Sequence, residues 1–136
     1  MRQLSDIGSR YLGSGWAYLG TTFEVRSPAT GQVIADVADC GVAEASVAAD
    51  VAQEAFLSWR ETTAFERSGI LGRWAALMIE HRDELAAVMS AEMGKPIKEA
   101  RGEVVYAAGF VTWYAEEAKR VYGESFPSQV GSKRLF

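Results

Sequence analysis

Hydrophobic residues recur along this chain with two different periods, and the change from one to the other divides it. Between Val42 and Arg60 the residues Val47, Ala48, Val51, Ala52, Ala55, Phe56 and Trp59 repeat at three- and four-residue spacing. That spacing draws one apolar stripe along a helix. Thr62-Thr63 interrupts it, and a second helical pattern follows with Ile70, Leu71, Trp74, Leu77 and Met78 as its stripe. Thr63 and Glu66 fit the S/T-x-x-E capping box, in which hydroxyl and carboxylate satisfy the first free N–H groups of a helix. His81-Arg82-Asp83 breaks the stripe before Leu85, Val88 and Met89 resume it. The pattern predicts two helices there, or one bent helix.

The longest stretch runs from Glu92 to Glu124 and predicts a single helix with both ends written into the sequence. Gly94 ends the preceding helix, because the residue past a helix C-terminus commonly takes a left-handed backbone that glycine adopts most cheaply. Pro96 opens the new one, since its fixed φ suits a first turn and its missing N–H has no partner there anyway. Gly123 closes it, with Lys119 and Arg120 in the last turn, where cations meet the negative end of the helix dipole. Such a helix is on the order of 40 Å long, enough to span the fold, so its apolar face organises what packs beside it. Tyr106, Phe110, Trp113 and Tyr114 lie on it at helical spacing. Core packing accounts for such a set, and so does one wall of a small-molecule channel.

Ahead of the helices the period shortens. Thr22–Val25 and Val33–Val37 are β-prone runs on either side of Arg26-Ser27-Pro28-Ala29-Thr30-Gly31, which predicts a hairpin or two short strands joined by a loop. Residues 1–21 carry four glycines among Tyr11, Leu12, Trp16 and Tyr18. They read as an irregular or partly extended arm, too apolar to stay undocked. Past the long helix, Ser125-Phe126-Pro127-Ser128 reads as loop and Ser132 to Phe136 as the beginning of a strand. Strand pieces without a sheet, and a chain that stops as a strand begins, are expected of a piece of a larger protein. The other account is a small helical domain with a loose tail.

Composition narrows the function classes. The 136 residues are 49% apolar and 24% charged, ordinary for one soluble domain. A net charge of −4 and a pI near 5.0 speak against a nucleic-acid footprint. No stretch of about 18 apolar residues is present to cross a membrane, and the first residues lack a signal-peptide core. With one cysteine, a reducing compartment, the cytoplasm, is the expectation.

Residue chemistry alone points to no catalytic site. Cys40 sits before a helix, where thiols can be activated, but Asp39 opposes a thiolate and no histidine or lysine is near in sequence, so it reads as structural or incidental. His81 is the single histidine, which leaves no zinc-type ligand set and fits a cap or surface position. Gly13-Ser14-Gly15 has neither the leading strand nor the third glycine of a dinucleotide fingerprint. Glu116-Glu117 and Asp83-Glu84 read as solvated helix faces.

The order of the motifs carries a resemblance. Val25-Arg26-Ser27-Pro28-Ala29-Thr30-Gly31-Gln32-Val33-Ile34 is similar to the "NPATGEVI" opening of the aldehyde dehydrogenase superfamily, with Ser27 for the usual Asn. Trp59-Arg60 and Glu66-Arg67 through Leu71 match its second block. Glu92-Met93-Gly94-Lys95-Pro96 with Glu99-Ala100 matches its "E-x-GKP-x-x-EA" segment. Gly102-Glu103-Val104, then Trp113 to Ala118, then Tyr122-Gly123-Glu124 and Pro127 complete the set, most similar to the succinate-semialdehyde dehydrogenase branch. The match runs from about Tyr11 to Phe136 and covers only the first part of that family's chain.

The resemblance implies a mainly α fold with short β segments: the N-terminal helical layer of an incomplete Rossmann-like α/β domain. Residues 1–21 would be an arm, and residues 22–136 the N-terminal part of an NAD(P)-binding domain that stops before its central sheet. It implies a parent that oxidises an aldehyde, with succinate semialdehyde the first candidate, using NAD or NADP, and that forms a homo-oligomer. It also implies that Tyr106, with Phe110 or Trp113, lines the substrate entrance. The family's nucleophilic cysteine, "PWNFP" asparagine, phosphate-side lysine, "GSTxxG" turn and "ELGG" glutamate all lie beyond this stretch. Hydride transfer there needs a covalent thiohemiacetal, so this chain alone is expected to be inactive and to bind no cofactor. Catalytic, cofactor-binding and metal residues are expected to be none. Nucleic-acid and membrane partners are not expected. The competing expectation is a non-catalytic helical interaction module that binds an intact dehydrogenase subunit or another partner.

Overall fold

Helix boundaries follow the capping chemistry closely. The computed structural model describes residues 10–12, 15–17 and 21–135, with side chains described for 21–126 and 128–133. Helix α1 spans Val42–Trp59, α2 Ala64–Glu80, α3 Arg82–Met93 and α4 Ile97–Glu117. Strands flank them as three antiparallel two-stranded ribbons: β1 (Arg10–Leu12) with β2 (Gly15–Ala17), β3 (Thr22–Arg26) with β4 (Val33–Ala38), and β5 (Phe126–Pro127) with β6 (Arg134–Leu135). The architecture is mainly helical with short β segments, as the residue pattern predicts.

At the start of α2 the capping box forms in full. The Thr63 hydroxyl accepts from the Glu66 amide at 3.2 Å, while the Glu66 carboxylate accepts from the Thr63 amide at 2.7 Å. The Thr63 hydroxyl also donates to the Glu66 carboxylate at 2.8 Å, and the two bonds to the carboxylate hold it below its ordinary range, the Thr63 amide contributing most and its hydroxyl next. At α1 only half of the motif exists: Glu44 accepts the Gly41 amide at 2.8 Å, and Gly41 has no side chain to return the bond. His81 is the joint between α2 and α3, so the interrupted stripe resolves as two helices.

The turn between α3 and α4 explains Gly94-Lys95-Pro96. Gly94 closes α3 with φ +72°, and its amide donates to the Ser90 carbonyl at 3.0 Å. A Cβ at Gly94 would sit 3.0 Å from Cγ of Pro28, so the glycine serves the backbone twist and the seat of the β3–β4 loop at once. That loop is tied by the Gly31 amide to the Ser27 carbonyl at 2.8 Å and the Ser27 amide to the Gln32 carbonyl at 2.9 Å. Pro96 caps α4 from just outside it: its carbonyl accepts the Glu99 and Ala100 amides at 2.9 and 3.0 Å.

Two sequence expectations need correction. The last helix stops at Glu117 rather than Gly123 and continues only as a single 3-10 turn, Ala118–Arg120. Lys119 and Arg120 bond back to Glu116 and Glu117 at 2.7 and 2.5 Å, drawing that last turn tight. At 21 residues α4 is about 30 Å long. Phe126–Pro127, read as loop, is a strand that pairs with Arg134–Leu135. Proline is tolerated there because an edge strand leaves one side of its backbone unpaired.

The core lies along a single seam. Helix α4 packs against α2 and α3 through Ala100, Val104, Ala108 and Ala115, which recur at four- and seven-residue spacing and are buried. Ala86 of α3 and Ala75 of α2 meet this seam, with Met89 packed against it. Small side chains therefore make the contact. The apolar stripes of α1 and α2 lie largely bare: Val47, Phe56 and Trp59 on α1, and Ile70, Trp74 and Leu77 on α2, are exposed. No described residue of α1 is buried. The chain exposes 10673 Å², against about 7,000 Å² for a compact monomer of its mass. The described helices form one layer with uncovered faces.

Candidate functional site

The side of α4 that faces away from α2 and α3 carries the aromatic residues. At about 100° per residue, Tyr106, Phe110 and Trp113 fall roughly 180–240° around the axis from Val104, opposite the buried seam. Their exposures of 70%, 50% and 65% agree with that placement. Tyr106 and Phe110, one turn apart, meet edge to face with ring centroids 4.8 Å apart and planes at 84°. That geometry suits the ring quadrupoles and holds both rings upright as a wall. Trp113 stands one turn further along the same face, and Tyr114 is exposed beside it. The structure thus brings the three candidate entrance residues together on one exposed face of the segment.

Ion pairs hold that helix at both ends. Lys95, in the turn before α4, is paired with Glu103 two turns into it. On the seam side, Arg101 reaches Asp83 of α3 at 2.9 Å, and Arg82 joins the same carboxylate at 3.1 Å. Bonds from Arg82 first and Arg101 second hold the Asp83 carboxyl below its usual range. At the far end Lys119 does the same for Glu116. The Lys95–Glu103 pair and the seat of Pro28 on Gly94 were not foreseen from the sequence. The only signal of them is the Gly94-Lys95-Pro96 run itself, which marks a turn without naming its partners.

The residue types present do not fit a nucleotide phosphate. A helix N-terminus attracts anions, but the first turns here carry Glu44, Glu66, Asp83 with Glu84, and Glu99. Glu44 and Glu66 each take a backbone amide there, and all of these carboxylates place negative charge at the dipole end that a pyrophosphate would need. Cys40 is exposed just ahead of α1, and His81 lies at the α2–α3 joint with Nδ1 3.5 Å from Glu84. Among the described residues no group of three or more His, Cys, Asp or Glu side chains gathers as a metal site. No helix is long and apolar enough to cross a membrane, again among the described residues.

Comparison with known proteins decides the family. The model of the aldehyde dehydrogenase family matches residues 16–136. The chain belongs to the aldehyde dehydrogenase family. It corresponds to the N-terminal segment and is similar to the succinate-semialdehyde dehydrogenases. This aldehyde dehydrogenase segment is 51% identical over 114 residues to the mitochondrial succinate-semialdehyde dehydrogenase of Hylobates lar, covering 84% of this chain and 21% of that one. It is 49% identical over 127 residues to the glutarate-semialdehyde dehydrogenase of Pseudomonas putida, covering 92% and 26%. The solved succinate-semialdehyde dehydrogenase of Burkholderia pseudomallei superposes with a TM-score of 0.91 at 43% identity, over 98% of this chain and 28% of that one. An indole-3-acetaldehyde dehydrogenase of P. syringae, solved in complex with NAD+, superposes with a TM-score of 0.85 at 29% identity, over 90% and 26%. The segment spans about a quarter of the length of these dehydrogenases.

Proposed function

We propose that this chain is the N-terminal part of an NAD(P)-dependent semialdehyde dehydrogenase whose parent oxidises a dicarboxylic semialdehyde, succinate semialdehyde first, to the acid. The observation that carries the reading is the ordered motif match, whose elements sit on the helices, caps and hairpin that the motifs predict. Identity near 50% to both succinate- and glutarate-semialdehyde dehydrogenases favours substrates of that class. In this reading residues 1–21 are an arm, and residues 22–136 open the NAD(P)-binding domain. The wall of Tyr106, Phe110 and Trp113 lines the substrate entrance and gives the aldehyde's carbon chain an apolar face.

NAD or NADP is then held by parts of the parent outside these residues, since the first turns of all four helices carry acidic side chains that oppose a phosphate. The nucleophile also lies outside them, and Cys40 takes no part. The parent is a homo-oligomer that acts without nucleic acid or membrane, and the exposed Cys40 suits a reducing cytoplasm.

The experiment is an assay of the purified chain with succinate semialdehyde and either NAD+ or NADP+. No reduced nicotinamide should form. Turnover that survives Cys40→Ala would contradict this location of the chemistry. A second reading, an interaction module for an intact dehydrogenase subunit, draws on the uncovered stripe of α1. A sharp thermal transition by circular dichroism favours the module; a broad one favours the segment, whose exposed apolar faces suit loose packing.

A further inference from the structure

Negative charge surrounds the aromatic wall of α4. At about 100° per residue, Glu99, Glu103 and Glu117 fall within roughly 60° of Tyr106 around the axis, on the face that carries the rings. The two cations of the helix stand off that face: Lys98 lies roughly 80° and Arg101 roughly 140° from Tyr106, and Arg101 is committed to Asp83. A bare carboxylate beside the rings would repel an anion, because exposed charges act over about 8 Å at physiological salt. A dicarboxylic semialdehyde is such an anion. Glu99, about 10 Å from Tyr106 along the axis, is beyond that range, whereas Glu103 stands one turn from Tyr106 and is within it.

The compensating cations come from outside the helix. Arg120, in the 3-10 turn beyond α4, pairs with Glu117, and Lys95, in the turn before α4, pairs with Glu103. The first pair is local, three residues apart. The second spans eight residues and depends on the turn between the helices. Gly94, at φ +72° with Pro28 seated against it, sets the direction in which Lys95 leaves α3. The Lys95 side chain is only 21% exposed, so most of its length is covered and its ammonium is held in place. Surface ion pairs contribute little stability, so stability alone is a weak reason for this one.

We propose that Lys95 is a specificity-determining residue, which by pairing with Glu103 neutralises the carboxylate closest along α4 to the Tyr106–Phe110 pair and admits an anionic aldehyde to the wall. This rests on the reading of that wall as the substrate entrance, and it names the substrate property the entrance admits. Lys95 acts through Glu103 and takes no part in the chemical step.

Proton NMR of the 136-residue chain reads the approach of an anion directly. The probes are a carboxylate-bearing nitroxide and its neutral amide counterpart, compared by the relaxation each produces at the Tyr106 and Phe110 ring protons. Lys95→Met keeps an apolar stem and removes the charge. It should lower the anionic-to-neutral ratio about threefold, the effect of one charge roughly 8 Å away in water. Salt at about 1 M, where screening acts within about 3 Å, should erase the difference, and adding Glu103→Gln should restore the ratio. An unchanged ratio overturns the proposal, and so does a change shared by all exposed amides of the chain.

Selectivity is read in a full-length dehydrogenase carrying this chain in place of its own first segment. There Lys95→Met should raise KM for succinate semialdehyde about threefold and leave KM for butanal, a neutral aldehyde of equal carbon number, unchanged. An equal change for the two aldehydes, or none, overturns the proposal and leaves the dehydrogenase reading standing. A folded enzyme without turnover before any substitution overturns that reading, and the entrance with it.

Discussion

The two faces of α4 invert the usual distribution of residues. The face packed against α2 and α3 is built from Ala100, Val104, Ala108 and Ala115, all buried, while the opposite face presents Tyr106, Phe110 and Trp113 to solvent. In a self-contained domain the large rings would be inside, because burying them contributes most. Here the small residues set the spacing of a helical layer and the large ones wait for a different surface. One face belongs to the architecture of the segment, and the other to whatever completes it.

Substitutions on the two faces should therefore differ sharply, read as the opening free energy of α4 from amide hydrogen exchange. Ala100→Leu, at a position with no exposure, should cost about 2–3 kcal/mol by forcing α3 and α4 apart. A cost near zero would show that the seam is not the core. Gly94→Ala should cost about 1–2 kcal/mol, because it forces a side chain into the left-handed region and against Pro28. The additional outcome to look for is faster exchange in β3 and β4 as their loop loses its seat.

Thr63→Ala should cost on the order of 1 kcal/mol, confined to the first turn of α2. The same cap gives a pH signature. Glu66 has a folded pKa below its unfolded one, so its contribution is complete above the unfolded value of about 4.3. It fades as pH falls through the lower folded value, and acid loosens this turn. Glu66→Gln should remove that local acid sensitivity; sensitivity that persists would assign it elsewhere. Smallest of all, Trp113→Ala should change the opening of α4 by less than about 0.5 kcal/mol. A larger effect would mean that the aromatic face serves the layer after all.

Much of the fold is legible from particular residues. Thr63 with Glu66, Gly94, and the Pro28 to Gly31 turn each encode a local bond or backbone twist, and local chemistry is what a linear sequence states directly. Which helical face is buried is not local. Ile70, Trp74 and Leu77 outrank Ala75 on any hydrophobicity scale, yet Ala75 makes the contact, because close approach to α4 favours small side chains and the large ones face outward. The end of α4 misleads for a related reason. Ala118 to Val121 are compatible with helix, and only the ion pairs that Lys119 and Arg120 make backward reveal the tighter turn. Of the candidate site, helical spacing gave the common face of Tyr106, Phe110 and Trp113, but the ring geometry and the Lys95–Glu103 tie needed coordinates.

The most direct measurement is a chimaera in which this chain replaces the matching segment of the Burkholderia pseudomallei succinate-semialdehyde dehydrogenase, whose fold it follows with a TM-score of 0.91. The account predicts a soluble enzyme that still forms reduced nicotinamide from succinate semialdehyde. Within it, Trp113→Ala should raise KM about tenfold with kcat little changed, the mark of lost ground-state binding at an entrance. A folded, cofactor-binding chimaera without turnover would contradict the claim that these residues are the N-terminal part of such an enzyme.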